Sequence, residues 1–391
     1  MKILQVIPCF SPHLPFGGSQ TVMWNISKEL AKRGHQVKIY SSNMINEWYS
    51  FPLPKFEIVS GIEIYHFRNV SKLFSKTLRY ILIPDILFNL RSEIKTLDII
   101  HLHELRNFPQ LITALCSVGA EKPFIIQPHG TLRVSSHPML KNIYDKTLLK
   151  YLFSKAEKII AVNEFEKKQL LSYGVPSRKI AIIPNAINLD EFLNLPQKGS
   201  FRARYGLTGS DFVILYLGRI AMDKGADILI KAISEIRNRY NNVKLVIAGP
   251  DDGFLPYIVK LVRKLEMQNV TIFTGPLYGR DKLEAYVDSD VYVLPSRYEI
   301  FGMTVLEAYA CAKPVIASRV SGEPKIVKHG ITGFLFEPGN PEELGSYLAH
   351  LIENRSLINE MGSRGREFII GNYSIGKVVD KLEKLYFESI R

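Results

Sequence analysis

Short apolar segments alternate with amphipathic segments along almost the whole chain. In the first half the apolar segments are residues 3–7, 36–40, 99–102, 124–127 and 159–162, and in the second half they are residues 212–217, 244–248, 270–273, 291–294 and 314–317. Short apolar runs between helical patterns are typical of buried strands in parallel sheets. The pattern therefore predicts an α/β fold of two doubly wound, Rossmann-like domains in series.

The predicted domains meet where a strand pattern runs into Pro184 and Asn185, followed by a polar stretch. Proline and asparagine end regular elements, and domain boundaries fall in such segments. We expect an N-terminal domain over residues 1–185, a linker over 186–204, a C-terminal domain over 205–372, and a helix over 373–391 that packs back toward the N-terminal domain.

Charge is distributed unevenly along the 391 residues, whose net charge is +12. Residues 1–185 contain 24 lysines and arginines against 13 acidic residues, whereas the remainder contains 26 against 25. A strongly basic half favours an anionic partner. Nucleic acid is disfavoured because no motif combines basic and aromatic residues for its recognition.

The cysteines and the apolar stretches indicate a cytoplasmic location. Cys9, Cys116 and Cys311 lie far apart without a CxxC motif, which argues against a disulfide framework or a zinc site. No apolar run approaches the length of a membrane span, and the first residues have too short an apolar stretch for a signal peptide. We expect a protein of the reducing cytosol that is not integral to a membrane.

One predicted helix, residues 72–83, has the pattern of a membrane-surface helix. Leu73, Phe74, Leu78 and Ile81 recur at helical spacing, and lysine and arginine fall on a different side. An ordinary amphipathic helix packed on its own sheet has the same pattern. Because its half of the chain is basic, we expect peripheral docking on the cytoplasmic face of an anionic membrane that holds the acceptor.

Ligands of doubly wound sheets bind beyond the carboxyl ends of the strands, so the residues after each strand are candidates for chemistry. Arg219 and Lys224 follow the predicted strand 212–217. A planar guanidinium and a mobile ammonium suit two phosphates, although two solvated surface cations would give the same pattern.

A second candidate segment follows the predicted strand 291–294. Glu299 precedes a turn, and Glu307 lies about one turn inside the next helix, where a carboxylate suits the hydroxyls of a ribose. The helix dipole alone would also favour either carboxylate there. Free N–H groups at the start of that helix predict an anion site. They belong to Phe301, Gly302, Met303 and Thr304.

These motifs together resemble the retaining glycosyltransferase family 4, which has the GT-B fold. The resemblance includes the two glutamates, Glu299 and Glu307, which are separated by seven residues, and several further segments. They are Gly17-Gly18, Ile183-Pro184-Asn185, Gly218-Arg219, Lys224-Gly225, the stretch 310–317 and the stretch 330–335. It implies two Rossmann-like domains facing across a cleft, a nucleotide-diphosphate sugar as donor, and no cofactor.

The resemblance also implies roles for the matching residues. Arg219 and Lys224 would bind the donor diphosphate, Glu307 the ribose, and Glu299 with the backbone of residues 301–304 the sugar and phosphates. The nucleobase would lie by Leu277. Lys325 stands where the family usually has a glutamate, and Ser321 where it often has glycine, which leaves the donor preference open.

In the first half, three strand ends supply candidates for the acceptor side. Gly17 and Gly18 open a helix and allow close approach of a phosphate or an acceptor, so we assign Gly18 to the donor and Gly17 to the acceptor. His129 matches a family histidine at the reaction centre, although a histidine satisfied by backbone is the alternative. His101 and His103 suggest a metal pair, but without a third ligand we expect packing for His101 and acceptor contact for His103.

Two acidic segments are discounted as metal sites. Asp288-Ser289-Asp290 lies before its strand, at the wrong edge of the sheet, and Asp251-Asp252-Gly253 is a turn signal. We expect no metal, because Arg219, Lys224 and a helix N-terminus already neutralise the leaving diphosphate.

The sequence thus predicts a retaining, metal-independent glycosyltransferase that moves a hexose-type sugar to a glycan or lipid-linked acceptor in cell-surface glycan or glycoconjugate assembly. Catalysis would use His129, Glu299, Arg219 and Lys224, with front-face attack by the acceptor hydroxyl. Two alternatives remain open: a nucleotide-sugar epimerase or phosphorylase on the same fold, and a non-catalytic nucleotide-sugar-binding subunit of a membrane glycosylation complex.

Overall fold

The computed structural model describes residues 1–13, 17–44, 53–71, 80–132, 138–320 and 323–390. The chain divides into two compact units: unit 1 is Met1–Ala186 with Ile375–Arg391, and unit 2 is Ile187–Ser374. Each unit is built on its own sheet, so the predicted α/β class with two parallel-sheet domains is confirmed.

Unit 1 contains an eight-stranded sheet in the order β3-β4-β2-β1-β5-β6-β7-β8. Its strands are β1 (Lys2–Cys9), β2 (Gln36–Ser42), β3 (Phe56–Val59), β4 (Ile62–Phe67), β5 (Ile99–His103), β6 (Phe124–Gln127), β7 (Lys158–Ala161) and β8 (Ile180–Ile182). All neighbours are parallel except β3 and β4, which form an antiparallel hairpin. Ser60 and Gly61 turn that hairpin with φ values of 54° and 75°.

The helices of unit 1 cover both faces of this sheet, which explains the continuous apolar strands. They are α1 (Gly18–Lys32), α2 (Ile86–Glu93), α3 (Phe108–Gly119), α4 (Pro138–Tyr144), a π-helical turn (Asp145–Leu149), α5 (Lys150–Lys155), α6 (Glu164–Ser172) and the C-terminal helix, which is α15 in chain order (Ile375–Ile390). Two 3₁₀ turns follow α2 and α6, at Ile94–Thr96 and Ser177–Lys179.

The C-terminal helix α15 packs on α1 and belongs to unit 1. Arg33 at the end of α1 donates hydrogen bonds to Asp380 at 2.8 Å, to the carbonyl oxygen of Gly376 at 3.0 Å, and to Glu383. His35 lies 2.6 Å from the second carboxylate oxygen of Glu383. These polar contacts fix the end of the chain beside the first helix.

Unit 2 contains a six-stranded, wholly parallel sheet in the order β11-β10-β9-β12-β13-β14. Its strands are β9 (Phe212–Leu217), β10 (Val243–Ala248), β11 (Thr271–Gly275), β12 (Val291–Leu294), β13 (Val315–Ser318) and β14 (Gly333–Phe336). Its helices are α7 (Ser200–Arg204), α8 (Ala226–Ile236), α9 (Leu255–Lys264), α10 (Gly279–Asp288), α11 (Met303–Ala310), α12 (Glu323–Ile326), α13 (Pro341–Glu353) and α14 (Ser356–Asn372), with 3₁₀ turns at Leu189–Phe192 and Met222–Lys224.

The stretch that we predicted as a linker, residues 186–204, lies almost entirely within unit 2 and ends in α7. Arg202 is buried there and forms an ion pair with Asp290 at 2.9 Å. A buried ion pair of this kind fixes α7 to the sheet.

The predicted surface helix over residues 72–83 lies largely outside the described residues. Its last part is described: Ile81 and Ile83 are fully buried in the core of unit 1, and the N–H of Ile81 donates to Oδ1 of Asn107 at 2.9 Å. The proposed lipid-facing role of Ile81 is therefore wrong. Within the described residues, no helix has the length and apolar character needed to span a bilayer.

Candidate functional site

In unit 2 the strand order reverses between β9 and β12, which creates a crevice at their carboxyl ends. Lys224, after β9, lies with Nζ 2.6 Å from Oε2 of Glu299, after β12. Gly225 makes this approach possible: its φ is 69°, and a Cβ there would lie 2.0 Å from the carbonyl oxygen of Pro295. Only glycine lets these two loops come together.

Arg219 also follows β9, but it pairs with a different carboxylate from that of Lys224. Its half-exposed guanidinium forms an ion pair with Asp252, in the loop after β10. The turn predicted at that loop is confirmed, since Oδ1 of Asp251 accepts hydrogen bonds from the N–H groups of Gly253, Phe254 and Leu255. The Arg219–Asp252 pair was not predicted, because the sequence of this segment indicates only a turn.

Glu307 of α11 is held by two side chains of α10 that the sequence analysis also missed. Oε1 of Glu307 lies 2.6 Å from Nζ of Lys282, and Oε2 accepts a hydrogen bond from the Tyr286 hydroxyl at 3.0 Å. Burial lowers the pKa of Lys282, but the attraction of Glu307 outweighs burial and leaves that pKa raised. Leu277 lies two residues beyond β11, in the loop that leads into α10.

The first turn of α11 is held in place by a hydrogen bond to Tyr292 of β12. The Tyr292 hydroxyl lies 2.6 Å from Oγ1 of Thr304 and donates to the carbonyl oxygen of Leu217 at 3.1 Å. Burial holds the pKa of Tyr292 well above its ordinary value, so the hydroxyl keeps its proton. Helix geometry then directs the first N–H groups of α11 toward the crevice between β9 and β12.

The acidic residues before β12 serve the fold. Asp288 accepts hydrogen bonds from the N–H groups of Gly199 and Arg202, and Asp290 accepts from the N–H of Val213 and from Arg202. Both carboxylates lie at the amino end of β12, away from the crevice, as the sequence analysis expected.

In unit 1 the strand order reverses between β1 and β5, and polar residues gather where these strands end. Gly17 and Gly18 begin α1, and the hydroxyl of Ser19 donates to Oε1 of Glu104 at 2.7 Å. Glu104, Arg106 and His129 all adopt left-handed backbone conformations, with φ values of 66°, 62° and 53°. Such conformations cost about 1–3 kcal/mol each and cluster at functional sites.

Buried polar contacts maintain this backbone. Arg106 binds both carboxylate oxygens of Asp145 at 2.7 Å and donates to backbone carbonyls of the loop after β6. Glu166 accepts a hydrogen bond from the N–H of Gly130 at 2.6 Å and from that of Val162 at 2.8 Å. Burial raises the pKa of Glu166 to about 7, against the opposing effect of these two hydrogen bonds.

The histidines of β5 and β6 form one buried group. Nδ1 of His103 lies 2.9 Å from Nε2 of His129, and Nε2 of His103 lies 2.7 Å from Oε1 of Gln5. Burial lowers the pKa values of His101 and His129 to about 3, and that of His103 well below its ordinary value. His103 is fully buried and both its ring nitrogens have partners, so it has no free nitrogen for the direct acceptor contact that we predicted.

Comparison with known proteins identifies the family to which both units belong. The family model described as glycosyl transferases group 1 matches residues 197–368, and that of glycosyltransferase family 4 matches residues 16–191. An uncharacterised glycosyltransferase of Methanocaldococcus jannaschii is 30% identical over 393 residues, which cover 99% of this chain and 98% of that protein.

Two further proteins of known activity or structure are similar over the whole chain. N-acetyl-alpha-D-glucosaminyl L-malate synthase of Bacillus anthracis is 25% identical, with 100% of this chain and 98% of that protein covered. The Anabaena protein HepE, solved with UDP and with UDP-glucose, superposes in its UDP complex with a TM-score of 0.78 at 19% identity, covering 99% of this chain and 100% of HepE. The chain therefore belongs to glycosyltransferase family 4, has the GT-B fold, and is a glycosyltransferase.

Proposed function

We propose that unit 2 binds a nucleotide-diphosphate sugar at the carboxyl ends of β9 and β12, and that the enzyme transfers its hexose-type sugar with retention to a glycan or lipid-linked acceptor. The observation that carries this proposal is the approach of Lys224 to Glu299 beside the first turn of α11. A cation, a carboxylate and free helix N–H groups in one crevice suit a diphosphate joined to a polyhydroxyl sugar.

Each donor group has a proposed partner. Arg219 and Lys224 bind the two phosphates, together with the backbone N–H groups at the start of α11. Glu307, oriented by Lys282 and Tyr286, accepts hydrogen bonds from the ribose hydroxyls. Leu277 packs against the base, and Glu299 binds the sugar. Two cations and the helix dipole stabilise the negative charge of the departing diphosphate, so this proposal requires no metal.

In unit 1 we assign Gly17 and His129 to the acceptor and Gly18 to the donor side. The fixed backbone of the loop after β6 holds His129 at the end of its strand, where acceptor hydroxyls would approach. Retaining glycosidases form a covalent intermediate on one of two carboxylates, and we assign no such nucleophile here. Instead, the acceptor oxygen attacks the anomeric carbon from the same face from which the diphosphate departs. Positioning supplies most of the rate.

We further propose that unit 1 docks on the cytoplasmic face of an anionic membrane. Four exposed apolar side chains follow one side of α4, the π-helical turn and α5. They are Met139, Ile143, Leu148 and Tyr151, with exposed fractions of 78%, 55%, 38% and 41%. The π-helical turn has one more residue per turn than an α-helix, so the five-residue spacing between Ile143 and Leu148 still keeps them on the same side. The exposed Lys146 and Lys150 lie on the same helical segment. This combination is typical of surfaces that enter the headgroup region.

A panel of nucleotide sugars tests the proposed reaction. Bound donor adds its binding free energy to stability, so the correct nucleotide sugar should raise the melting temperature. Incubation of that donor with a membrane extract containing acceptors should yield a product whose anomeric configuration, assigned by NMR, equals that of the donor, with and without EDTA. An epimerase would change the sugar without an acceptor, and a binding subunit would give no product.

A further inference from the structure

A stripe of buried polar side chains runs across the sheet of unit 1, where apolar residues would be expected. Gln5 of β1 and His101 of β5 are direct neighbours in the strand register, and His103 lies two residues further along on the same face. All three are fully buried. Tyr386 of α15 covers them with a fully buried ring. Buried polar groups persist only when they are hydrogen-bonded, so their connections have a purpose in the fold.

These side chains form one continuous series of contacts that ends at His129. The Tyr386 hydroxyl lies 2.7 Å from Nδ1 of His101, and Nε2 of Gln5 donates to the same hydroxyl at 3.4 Å. Oε1 of Gln5 lies 2.7 Å from Nε2 of His103, whose Nδ1 lies 2.9 Å from Nε2 of His129. Nδ1 of His129 is buried at the end of the series and has no hydrogen-bond partner among the residues that the structure describes.

The protons of the series follow from its chemistry. The three imidazoles are neutral, because burial lowers their pKa values, so each ring has one N–H and one lone pair. The carbonyl oxygen of Gln5 accepts only, which places the proton of His103 on Nε2. Nδ1 of His103 must then accept the N–H of His129 Nε2. The lone pair of His129 is therefore on Nδ1, the atom without a partner.

We propose that Gln5, oriented by Tyr386 of the C-terminal helix, sets the tautomer of His129 through His103, so that Nδ1 of His129 accepts a hydrogen bond from a substrate hydroxyl. Gln5, His103 and Tyr386 act as positioning residues. The substrate contact rests on the proposed function, whereas the tautomer is a property of the free enzyme.

Tyr386 has a specific task in this arrangement. A carboxamide can rotate by half a turn with little change in shape, and rotation of Gln5 would present N–H groups to His103 and reverse every donor in the series. In the orientation that the structure records, Nε2 of Gln5 donates to the Tyr386 hydroxyl, which then donates to His101, so the orientation of Gln5 is coupled to the tautomer of His101. The last helix thus supplies a hydroxyl that connects Gln5 to His101.

The test is ¹⁵N NMR of the histidine rings in the free, full-length enzyme, with His129→Gln used to assign the signals. In the wild type, His129 should show a protonated Nε2 and an unprotonated Nδ1. In Gln5→Leu, His103 loses its acceptor, and an unpaired buried N–H costs more than an unpaired lone pair. The proton of His103 should move to Nδ1, which forces the proton of His129 onto Nδ1 as well.

Matched variants distinguish the effect of the hydrogen-bond series on the His129 tautomer from the effect of side-chain packing. Tyr386→Phe should give a mixture of His129 tautomers, whereas Tyr40→Phe should leave His129 unchanged. Tyr40 is equally buried in the same sheet, and within the described part of the chain its hydroxyl has no partner. Gln5→Glu keeps an acceptor for His103 and should keep the wild-type tautomer at a pH where His103 stays neutral, because a neighbouring carboxylate raises the pKa of that ring. Circular dichroism confirms that each variant is folded.

Once a donor and an acceptor have been identified, kcat/KM for sugar transfer can be measured. It should fall about tenfold in Gln5→Leu and recover in Gln5→Glu. A protonated Nδ1 on His129 in the wild type, or an unchanged tautomer in Gln5→Leu, overturns the proposal. A tautomer that shifts without any change in kcat/KM overturns the substrate contact. If the wild type transferred no sugar, the proposed function would fail while the NMR result would stand by itself.

Discussion

At the scale of single residues, carboxylates hold both cations that we assign to the donor phosphates. Arg219 pairs with Asp252 where both side chains are well exposed, and such a pair contributes only about 0–1 kcal/mol. Lys224 pairs with Glu299 where both are mostly buried, so separation would leave an uncompensated charge. We therefore expect Arg219 to leave Asp252 when donor binds and Lys224 to keep Glu299 while it contacts phosphate.

Lys282→Met tests how Glu307 is positioned. Without its ammonium partner, the Glu307 carboxylate loses the bond that orients it, and Kd for the nucleotide should rise about tenfold. Titration calorimetry measures this change. Lys231→Met, which removes an exposed lysine of α8 in the same unit, is the control. Equal affinities in the two variants would remove Lys282 from the donor site.

The buried titratable groups of unit 1 predict how stability depends on pH. Among the described residues of unit 1, four histidines have depressed pKa values: His66, His101, His103 and His129. They stabilise the folded state above about pH 6.5 and lose that effect as the unfolded chain takes up protons. Glu166 has the opposite sign: its raised pKa stabilises the folded state at low pH, and that effect is lost as pH rises through about 7. Together the histidines change the free energy of unfolding more than the single glutamate does.

The free energy of unfolding should therefore fall by about 2 kcal/mol per unit as pH drops from about 6.5 to about 5. Both tryptophans, Trp24 and Trp48, lie in the part of the sequence that forms unit 1, so tryptophan fluorescence in urea reports on it. His129→Gln should reduce the slope by about 1.4 kcal/mol per unit. A flat profile in the wild type would show that the histidines are not neutral in the folded state.

At the scale of elements, two loops of unit 2 meet at a glycine. Gly225→Ala must combine a left-handed alanine with a backbone clash at Pro295, and we expect a loss of more than about 3 kcal/mol in stability together with weaker nucleotide binding. Gly206→Ala is the control, since Gly206 has φ of 65° and open space around its Cα. Urea unfolding of both variants measures the difference. Equal losses would mean that only φ matters there.

The sequence predicted the elements that a single pattern defines. Buried parallel strands such as β9 and β12 are continuous apolar runs, and the site residues directly after them were found for that reason. The β3–β4 hairpin was missed because its strands are short, partly exposed and mixed in polarity. Gln5 could have been recognised from the sequence as a candidate buried polar residue, because it is a polar residue within the apolar run of β1.

Contacts between segments that are distant in sequence could not be predicted from the local sequence pattern. Tyr386 meets His101 across 285 residues, and Lys282 meets Glu307 across 25, so each side chain by itself resembles an ordinary helix residue. The tertiary fold alone brings these partners together. Only a structure could show that both ring nitrogens of His103 are already taken by Gln5 and His129.

At the scale of the whole molecule, the positive charge resides almost entirely in the sequence of unit 1, while unit 2 is close to neutral. Each basic residue near an anionic leaflet contributes roughly 1 kcal/mol, before screening by salt. A membrane-held acceptor and a soluble donor fit this division, because the charged half would bind the surface and the neutral half the nucleotide.

Co-sedimentation with liposomes tests membrane docking. Binding should occur with phosphatidylserine vesicles, weaken with salt, and be absent with phosphatidylcholine alone. Ile143→Asp should reduce binding about tenfold, since it places a charge on the exposed apolar side of α4. Leu193→Asp, at an exposed leucine of unit 2, should bind like the wild type. Failure to bind anionic vesicles at low ionic strength would favour a soluble acceptor.

Calorimetric titration of nucleoside diphosphates into the wild type, Lys224→Met and Lys231→Met tests the central claim most directly. We predict that one of UDP, GDP and ADP binds the wild type without added metal, that Lys224→Met weakens this binding at least about tenfold, and that Lys231→Met leaves it unchanged. Wild-type affinity in Lys224→Met, or binding of none of the three nucleotides, would contradict a donor site between β9 and β12.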